Sequence, residues 1–193
     1  KGGYAIPGLT DMHVHLGTPE MLAMYVANGV TAIRVMAGNR RILDMKAEVE
    51  AGKLVGPRMF VASPLMEGDP PLWPESEPVT TQEQARSLVK QYASDGYQAI
   101  KIYDGLTAPV LEAAADQAAR EGLPVVGHLP DTVVLDDVLA ARPASLEHTG
   151  GYLPAWFSAG RGPCEIPAEN LEQLAARLAE SRVTVVPTIS LLQ

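Results

Sequence analysis

The segment YQAIKIYDGLTAPVLEAAADQAAREGLPVVGH, residues 97–128, contains the repeat that decides the fold. A short apolar run is followed by an alanine-rich amphipathic stretch that ends at Gly122, and a second short apolar run comes directly after it. This order predicts a strand, a helix and a strand, and two strands joined in this way lie parallel in one sheet. The segment therefore predicts a βαβ unit.

The same alternation extends through the rest of the chain. Seven runs rich in apolar and β-branched residues are predicted to be strands, and six amphipathic stretches between them are predicted to be helices. The predicted strands are YAIPGLTDMHVHL, VTAIRVM, PRMFVA, QAIKIY, PVVGH, ASLEHT and VTVVPTIS. The segment SPLMEGDPPLWPESEP, residues 63–78, is rich in proline and acidic residues and is predicted to be a long loop.

Capping residues mark the predicted helix boundaries. We expect Thr18 to cap the first helix, because Pro19 in its first turn loses no hydrogen bond, and Gly29 to supply the left-handed residue at its end. Thr80 and Glu83 have the spacing of a capping box and are expected to open the third helix.

Seven parallel strands fit either an open doubly wound sheet or a TIM-type (β/α)8 barrel. A doubly wound sheet usually has a glycine-rich phosphate turn after its first strand, but DMHVHLG, residues 11–17, occupies that place. We therefore predict that residues 1–193 form one barrel domain. Because a closed barrel needs eight strands, this one is predicted to be incomplete, with strands 1 to 7 present and strand 8 absent.

Charge and cysteine content exclude several classes of function. A formal charge of -8 and a pI near 5.0 give no basic surface for nucleic acid or for an anionic membrane, so neither partner is expected. No apolar run approaches the roughly 20 residues that cross a bilayer. Cys164 is the only cysteine, so any metal would be held by histidines and carboxylates. Cellular compartment and homo-oligomerisation stay open.

The four histidines fall at the ends of predicted strands. His13 and His15 are two residues apart, so their side chains point to the same face. His128 and His148 end two later strands, and TIM-type barrels assemble their active sites at the carboxyl ends of strands. A histidine pair alone is more often structural, but four histidines on one rim predict an open site for zinc or a similar divalent ion.

Lys101 lies inside the apolar strand QAIKIY, where a charged amine is costly to bury. One explanation is a salt bridge to Asp104 or Glu147. The other is a lowered pKa, because the neutral amine can react with carbon dioxide to give an anionic carbamate ligand. Tyr103 is predicted to share the inward face, where its phenol either donates to a substrate oxygen or fills the barrel mouth.

The order of these motifs resembles a known family. PGLTDMHVH at residues 7–15, IKIY at 100–103, GHLP at 127–130 and SLEH at 145–148 are similar to the amidohydrolase superfamily, especially its imidazolonepropionase-like and prolidase-like branch. The resemblance extends from residue 5 to the end of the chain. In that family a histidine pair ends strand one, a lysine that is often carboxylated ends strand four, and single histidines end strands five and six.

By this resemblance, five residues are expected to bind one or two divalent ions, zinc being the first choice. His13 and His15 would hold the first ion and His128 and His148 the second, with carboxylated Lys101 between them. The activity implied is hydrolysis of an amide-type C–N bond, in a peptide or a cyclic amide, through a metal-activated water. Dipeptidase-like cleavage is preferred.

Three residues are expected to act in catalysis, and others to support them. Lys101 would bridge the ions, His148 would bind metal or orient the substrate, and Tyr103 would donate to the substrate. Asp11 or Glu147 is expected to steady a ligand imidazole.

The loop TGGYLPAWFSAGRGPCEIP follows the strand that carries His148. Its aromatic residues are expected either to line the mouth or to pack as a lid, and Arg161 would clamp a substrate carboxylate. The other residues singled out in this loop are Tyr152, Trp156 and Phe157.

Two features of the family have no counterpart in the sequence. The aspartate that ends strand eight, usually assigned as the base, is missing because no aspartate follows Asp137. The accessory β-sandwich is missing too. We therefore expect a fragment of a longer enzyme that alone turns over nothing. The alternatives are a non-catalytic metal-binding barrel that lost this aspartate and, less favoured, a structural role without metal.

Overall fold

The computed structural model describes residues 2–148 and 168–189. The strands are β1 (Leu9–Val14), β2 (Val30–Val35), β3 (Arg58–Glu67), β4 (Glu77–Pro78), β5 (Ala99–Ile102), β6 (Val125–Gly127), β7 (Ser145–Glu147) and β8 (Thr184–Val186). The helices are α1 (Glu20–Ala27), α2 (Arg40–Glu50), α3 (Gln82–Asp95), α4 (Ala108–Glu121), α5 (Leu135–Ala140) and α6 (Ala168–Ser181). Within these residues, no helix has the length and apolar character needed to cross a bilayer.

All paired strands run parallel, in the order β1-β2-β3-β5-β6-β7-β8, and the two-residue strand β4 lies beside β3 off this path. The seven strands of the main path form a nearly closed barrel. Among the described residues no ladder joins β8 to β1. The predicted incomplete TIM-type barrel is therefore confirmed, and β4 is an addition that the sequence pattern did not reveal.

Helices α3 and α4 pack against each other outside the sheet. Helix α4 buries Val110, Leu111 and Ala114 because its alanine-rich face repeats with the helical period, which lets the backbones approach closely. The core they join contains apolar residues of β2, β5 and β7, such as Ile33 and Ile102. Burial of this apolar surface keeps the barrel wall rigid, so that side chains at the strand ends have fixed positions.

Two predicted helix starts are wrong. The capping box of α3 is formed by Thr81, whose side chain accepts from the Gln84 amide, and not by Thr80 and Glu83. The TTQEQ segment offers this box in two registers, and the glutamine satisfies the one that forms. Helix α1 begins without a side-chain cap, since its first flanking residue is Pro19 instead of Thr18. The predicted glycine ends are left-handed, for example Gly29 with φ 79°.

Strand β3 is longer than predicted. It continues past Ala62 through SPLME to Glu67, so only residues 68–76 form the loop before β4. Proline lacks the N–H of a strand ladder, and Pro64 lies where the register between β3 and β5 is irregular. At this irregularity the Ser63 hydroxyl accepts from the Lys101 amide at 2.9 Å. The irregularity therefore accommodates the proline and connects β3 to the lysine strand.

Candidate metal centre

The strand ends bring all four histidines of the chain together. His13 lies in β1 and His15 directly after it, while His128 and His148 follow β6 and β7. The ring centroid of His13 is 5.2 Å from that of His15 and 4.6 Å from that of His148, and His128 is 4.8 Å from His148. We call these four residues the histidine cluster. The expected convergence on one rim is present.

Backbone features at two strand ends direct the later histidines into the barrel mouth. Gly127 has φ 141°, and a Cβ there would lie 2.1 Å from the carbonyl oxygen of Ile102, so only glycine fits before His128. His148 has φ 64°, a left-handed conformation that few non-glycine residues adopt, and its amide donates to the Val186 carbonyl at 2.8 Å. Such strained residues occur most often at functional sites.

A buried carboxylate fixes the ring of His13. Its Nδ1 lies 2.8 Å from Oε2 of Glu147, and because a carboxylate only accepts, Nδ1 carries the hydrogen. In the neutral ring this leaves Nε2 as the acceptor, and Nε2 lies 3.2 Å from Nε2 of His15. Asp11 accepts instead from the backbone N–H of His13, at 3.1 Å. Of the two carboxylates expected to steady an imidazole, Glu147 contacts the ring and Asp11 holds the main chain.

Three rings of the histidine cluster have a lowered pKa. Loss of water around the ring, and then the positive charge of neighbouring groups, lowers the pKa of His15 and of His148 to about 4. Burial also lowers the pKa of His128, although a hydrogen bond to Asp104 acts in the opposite direction. These imidazoles are therefore neutral near pH 7, and a neutral imidazole has the free lone pair that a metal ligand needs.

Lys101 is buried in β5 and only 1% exposed. Within the described part of the chain, nothing accepts a hydrogen bond from its Nζ. The salt bridge to Asp104 or Glu147 that the sequence allowed is therefore not formed. Burial lowers the pKa of Lys101 to about 8, with Arg34 adding to the shift and the charges of Glu147 and Asp104 opposing it. The lowered pKa means that a larger fraction of the amine is in its neutral, nucleophilic form near neutral pH than for an ordinary lysine.

Tyr103 and Trp73 form an aromatic wall beside the cluster. The Tyr103 ring lies 3.9 Å from that of His128, and its hydroxyl accepts from the Trp73 indole N–H at 3.0 Å. Burial raises the pKa of Tyr103, so the phenol keeps its own proton. Trp73 belongs to the loop between β3 and β4, and sequence reasoning did not select it. The single tryptophan inside a proline-rich loop was the available signal.

A charged network lies beneath the histidine cluster. Arg34 of β2 donates to the Met12 carbonyl at 2.7 Å, to the Ser145 hydroxyl at 2.8 Å and to Oε1 of Glu147 at 2.6 Å. Sequence reasoning also missed this arginine, although it stands inside an apolar strand as Lys101 does. Burial alone would raise the pKa of Glu147, but hydrogen bonds from His13 and Ser145, with the Arg34 charge, hold it below its ordinary value.

The histidine cluster lies at one cavity of about 1270 Å³. Its wall includes the histidine cluster, Lys101 and the aromatic pair Tyr103 and Trp73, with Glu75 and Glu77 nearby. This volume is above the usual range of about 300–1,000 Å³ for a small-molecule pocket, so a short peptide would fit. Tyr152, Trp156, Phe157 and Arg161, which were expected at the mouth, lie outside the described residues.

The residue types at the strand ends, four histidines and a lysine, suit a divalent ion. The histidine rings do not point to one common position in this structure. In residues 2–148 and 168–189, no group of three or more His, Cys, Asp or Glu side chains could hold a metal ion as they stand. The Nε2 atoms of His13 and His15 contact each other instead. Neutral imidazoles and a buried amine without an acceptor are, however, what a zinc-type site with a carbamate ligand requires.

Comparison with known proteins gives the family. The model of the amidohydrolase family matches residues 4–152, more than half of the chain. The structure of bottromycin amidohydrolase is 31% identical over 90% of this chain and 38% of its own, with a TM-score of 0.71. A Bifidobacterium longum protein assigned as a prolidase is 27% identical over 74% of this chain and 40% of its own, with a TM-score of 0.61.

A Xaa-Pro dipeptidase with bound methionine, 22% identical over 95% of this chain and 53% of its own, shares the fold with a TM-score of 0.68. The search of curated proteins found no match. The chain spans about two fifths of the length of the first two solved structures. From the family match, the barrel and the motifs at its strand ends, we conclude that the chain belongs to the amidohydrolase family.

Proposed function

We propose that the protein is a metal-dependent hydrolase that cleaves an amide C–N bond in a short peptide. The observation that carries this proposal is the juxtaposition, in one cavity, of the histidine cluster and a buried Lys101 amine that has no hydrogen-bond acceptor in residues 2–148 and 168–189. Family membership supports hydrolysis of amide-type bonds. Two relatives with more than 25% identity, an amidohydrolase and a protein assigned as a prolidase, favour peptides over cyclic amides.

The residues proposed to hold metal are those at the strand ends. His13 and His15 would hold one divalent ion and His128 and His148 a second, or His148 would orient the substrate beside a single ion. Zinc is the first choice because neutral imidazole is among its preferred ligands. When bound, such an ion supplies a Lewis acid that activates water and polarises a carbonyl.

Lys101 is proposed to carry a carbamate. Its neutral Nζ attacks carbon dioxide, a new N–C bond forms, one amine proton is released to solvent, and an anionic oxygen ligand results. Two features support this step. Burial lowers the pKa of the amine to about 8, and no acceptor in the described residues holds it in the ammonium form.

The chain's own side chains would also bind and orient the substrate. The Tyr103 phenol keeps its proton and faces the cavity, so we propose that it donates to a substrate oxygen. Trp73 is 49% exposed and held by its hydrogen bond to Tyr103, so its indole face is free to pack against an apolar substrate side chain.

The test uses the full-length protein. We expect metal analysis to find zinc or a similar ion, chelation to abolish hydrolysis of a panel of Xaa-Pro dipeptides, and zinc to restore it. Lys101→Met should lower kcat/KM by about 10³-fold, because a bridging ligand contributes several kcal/mol to the transition state. The exposed Lys90→Met is the matched control and should leave kcat/KM unchanged.

Two results would contradict the proposal. A protein without bound metal whose hydrolysis survives chelation would remove the metal mechanism. A protein that binds zinc but hydrolyses neither dipeptides nor cyclic amides would favour the non-catalytic metal-binding barrel. Intact-mass measurement at neutral pH adds an independent check, because a carbamate adds the mass of one carbon dioxide that Lys101→Met cannot carry.

A further inference from the structure

A single buried arginine connects opposite sides of the barrel below the histidine cluster. Arg34 comes from β2, and its guanidinium donates to the Met12 carbonyl of β1 and to Ser145 and Glu147 of β7. In the strand order, β2 and β7 are separated by three strands on one side and by the opening between β8 and β1 on the other. The side chain therefore spans the barrel interior, and it is only 8% exposed.

Both oxygens of the Glu147 carboxylate, which Arg34 contacts, are fixed by hydrogen bonds. Oε1 of Glu147 accepts from Arg34 at 2.6 Å and from the Ser145 hydroxyl at 2.5 Å, while Oε2 faces Nδ1 of His13 at 2.8 Å. The Glu147 side chain has no exposed surface. Arg34 donates to this Oε1 through Nη2 and to the Ser145 hydroxyl through Nη1, so the guanidinium holds both groups that contact Oε1. The direction of Oε2 is therefore set by Arg34 and Ser145.

The same contact sets which nitrogen His13 offers to the cavity. Since Oε2 can only accept, the neutral ring carries its hydrogen on Nδ1 and leaves Nε2 with a lone pair. This Nε2 lies 3.2 Å from Nε2 of His15, and both rings line the cavity. A carboxylate behind a ligand histidine is known to fix both the tautomer and the ring orientation.

We propose that Arg34 is a positioning residue for the metal centre: by fixing the Glu147 carboxylate, it holds His13 in the tautomer and rotamer that present Nε2 to the cavity. This inference builds on the proposed function only where it treats His13 as a ligand. The contrasting interpretation is that Arg34 and Glu147 are an ion pair that stabilises the barrel and leaves the His13 tautomer to other contacts.

The experiment compares Arg34→Met, Arg34→Lys and the control Val89→Ala in the full-length protein. Val89 is buried in α3, so its truncation lowers stability without touching the network. Two readouts are used. Nitrogen-15 NMR of the metal-free protein reports the tautomer of His13, and competition with a chelator reports zinc affinity.

We expect the wild-type protein and Val89→Ala to show His13 in the Nδ1–H form, and Arg34→Met to show a mixture of tautomers. Zinc affinity should fall about 10- to 100-fold in Arg34→Met, as is typical when a residue that orients a metal ligand through hydrogen bonds is replaced. Arg34→Lys keeps a cation beside Glu147, but its one nitrogen cannot replace three separate donors to Met12, Ser145 and Glu147, so it should recover part of both signals.

Folded Arg34→Met protein with an unchanged His13 tautomer and unchanged zinc affinity would overturn the proposal, and so would an equal loss of affinity in Val89→Ala. If Arg34→Met does not fold, Arg34→Lys is judged by the same two readouts. Failure of the proposed function gives a different pattern. A wild-type protein that binds no zinc contradicts the metal-dependent hydrolase, while the metal-free NMR measurement still decides the role of Arg34.

Discussion

Two buried cationic side chains of the same barrel have opposite surroundings. Arg34, beneath the histidine cluster, donates to a carbonyl, a hydroxyl and a carboxylate. Lys101, at the cluster, is buried even more completely but has no acceptor in the residues that the structure describes. The first cation has three hydrogen-bond acceptors, whereas the second lies beside the cavity with its Nζ 6.0 Å from the centre of the Tyr103 ring.

This difference separates a group that shapes the site from a group that is available for chemistry. Burying an ion without a partner costs several kcal/mol, so a protein keeps such a group only where something compensates. For Arg34 the compensation is visible in its hydrogen bonds. For Lys101 we attribute it to function, because its lowered pKa makes the amine reactive.

The largest expected effect contrasts the two cations directly. Arg34→Met should lower the free energy of unfolding of the metal-free protein by about 3 kcal/mol, because Glu147 is then left buried without its cation. Lys101→Met should not lower it, since methionine fills a similar volume and removes an unpaired amine. Urea unfolding measures both, with the exposed Lys90→Met as a control expected within about 0.5 kcal/mol of the wild type. Equal destabilisation by Arg34→Met and Lys101→Met would show that the two buried cations contribute alike to stability.

A smaller effect is expected inside the paired network. Ser145→Ala removes the hydroxyl that donates to Oε1 of Glu147 and accepts from Arg34. Arg34 and Glu147 stay paired with each other in this variant, so we expect a total loss of about 1.5–3 kcal/mol by urea unfolding, the contribution of one hydrogen bond to a charged group. Ser181→Ala on α6, whose exposed hydroxyl contacts only the Leu178 carbonyl, is the matched control. A Ser145→Ala protein as stable as the control would mean that the network tolerates a missing member.

The smallest expected effect is a loss of stability of the metal-free protein at acidic pH. The folded pKa of His148, about 4, lies below the ordinary 6.5 of the unfolded chain. Between these values the unfolded chain binds more protons, so the metal-free protein should lose stability as the pH falls from 7 to 5. The pKa of Glu147 is below its ordinary 4.5, so its titration lies outside this window.

Thermal unfolding at pH 7 and pH 5 measures this dependence in the wild type and in His148→Asn. Asparagine tolerates the left-handed backbone at this position, so the variant should fold. Its Tm should depend less on pH than that of the wild type. Identical pH dependence in both proteins would show that His148 does not carry the acid sensitivity.

Most of the fold could be predicted because its signals are local. Apolar runs bounded by glycine and proline identified the seven main strands, and the glycines at 29, 96 and 122 marked helix ends. The errors occurred where two local solutions compete or where a tertiary contact decides. The TTQEQ segment allows two capping registers, and the extension of β3 past Pro64 depends on its irregular pairing with β5, which the sequence does not display.

The site was predictable only where residue type and strand position agree. Four histidines at strand ends and a lysine inside an apolar strand could be selected because each is unusual in its place. Arg34 satisfies the same criterion but was missed, because its partners lie more than 100 residues away, in β7. Trp73 was missed since its role depends on the Tyr103 hydroxyl, 30 residues further along the chain. Tyr103 as a donor to substrate stays a prediction.

The hydrogen bond between Trp73 and Tyr103 also gives the protein an intrinsic optical probe. The indole is half-exposed at the cavity and its N–H is fixed 3.0 Å from the phenol oxygen. Any molecule that enters beside His128 would displace water from this indole and shift its fluorescence emission. With Trp156, the second tryptophan of the chain, replaced by phenylalanine, emission would report binding equilibria separately from turnover.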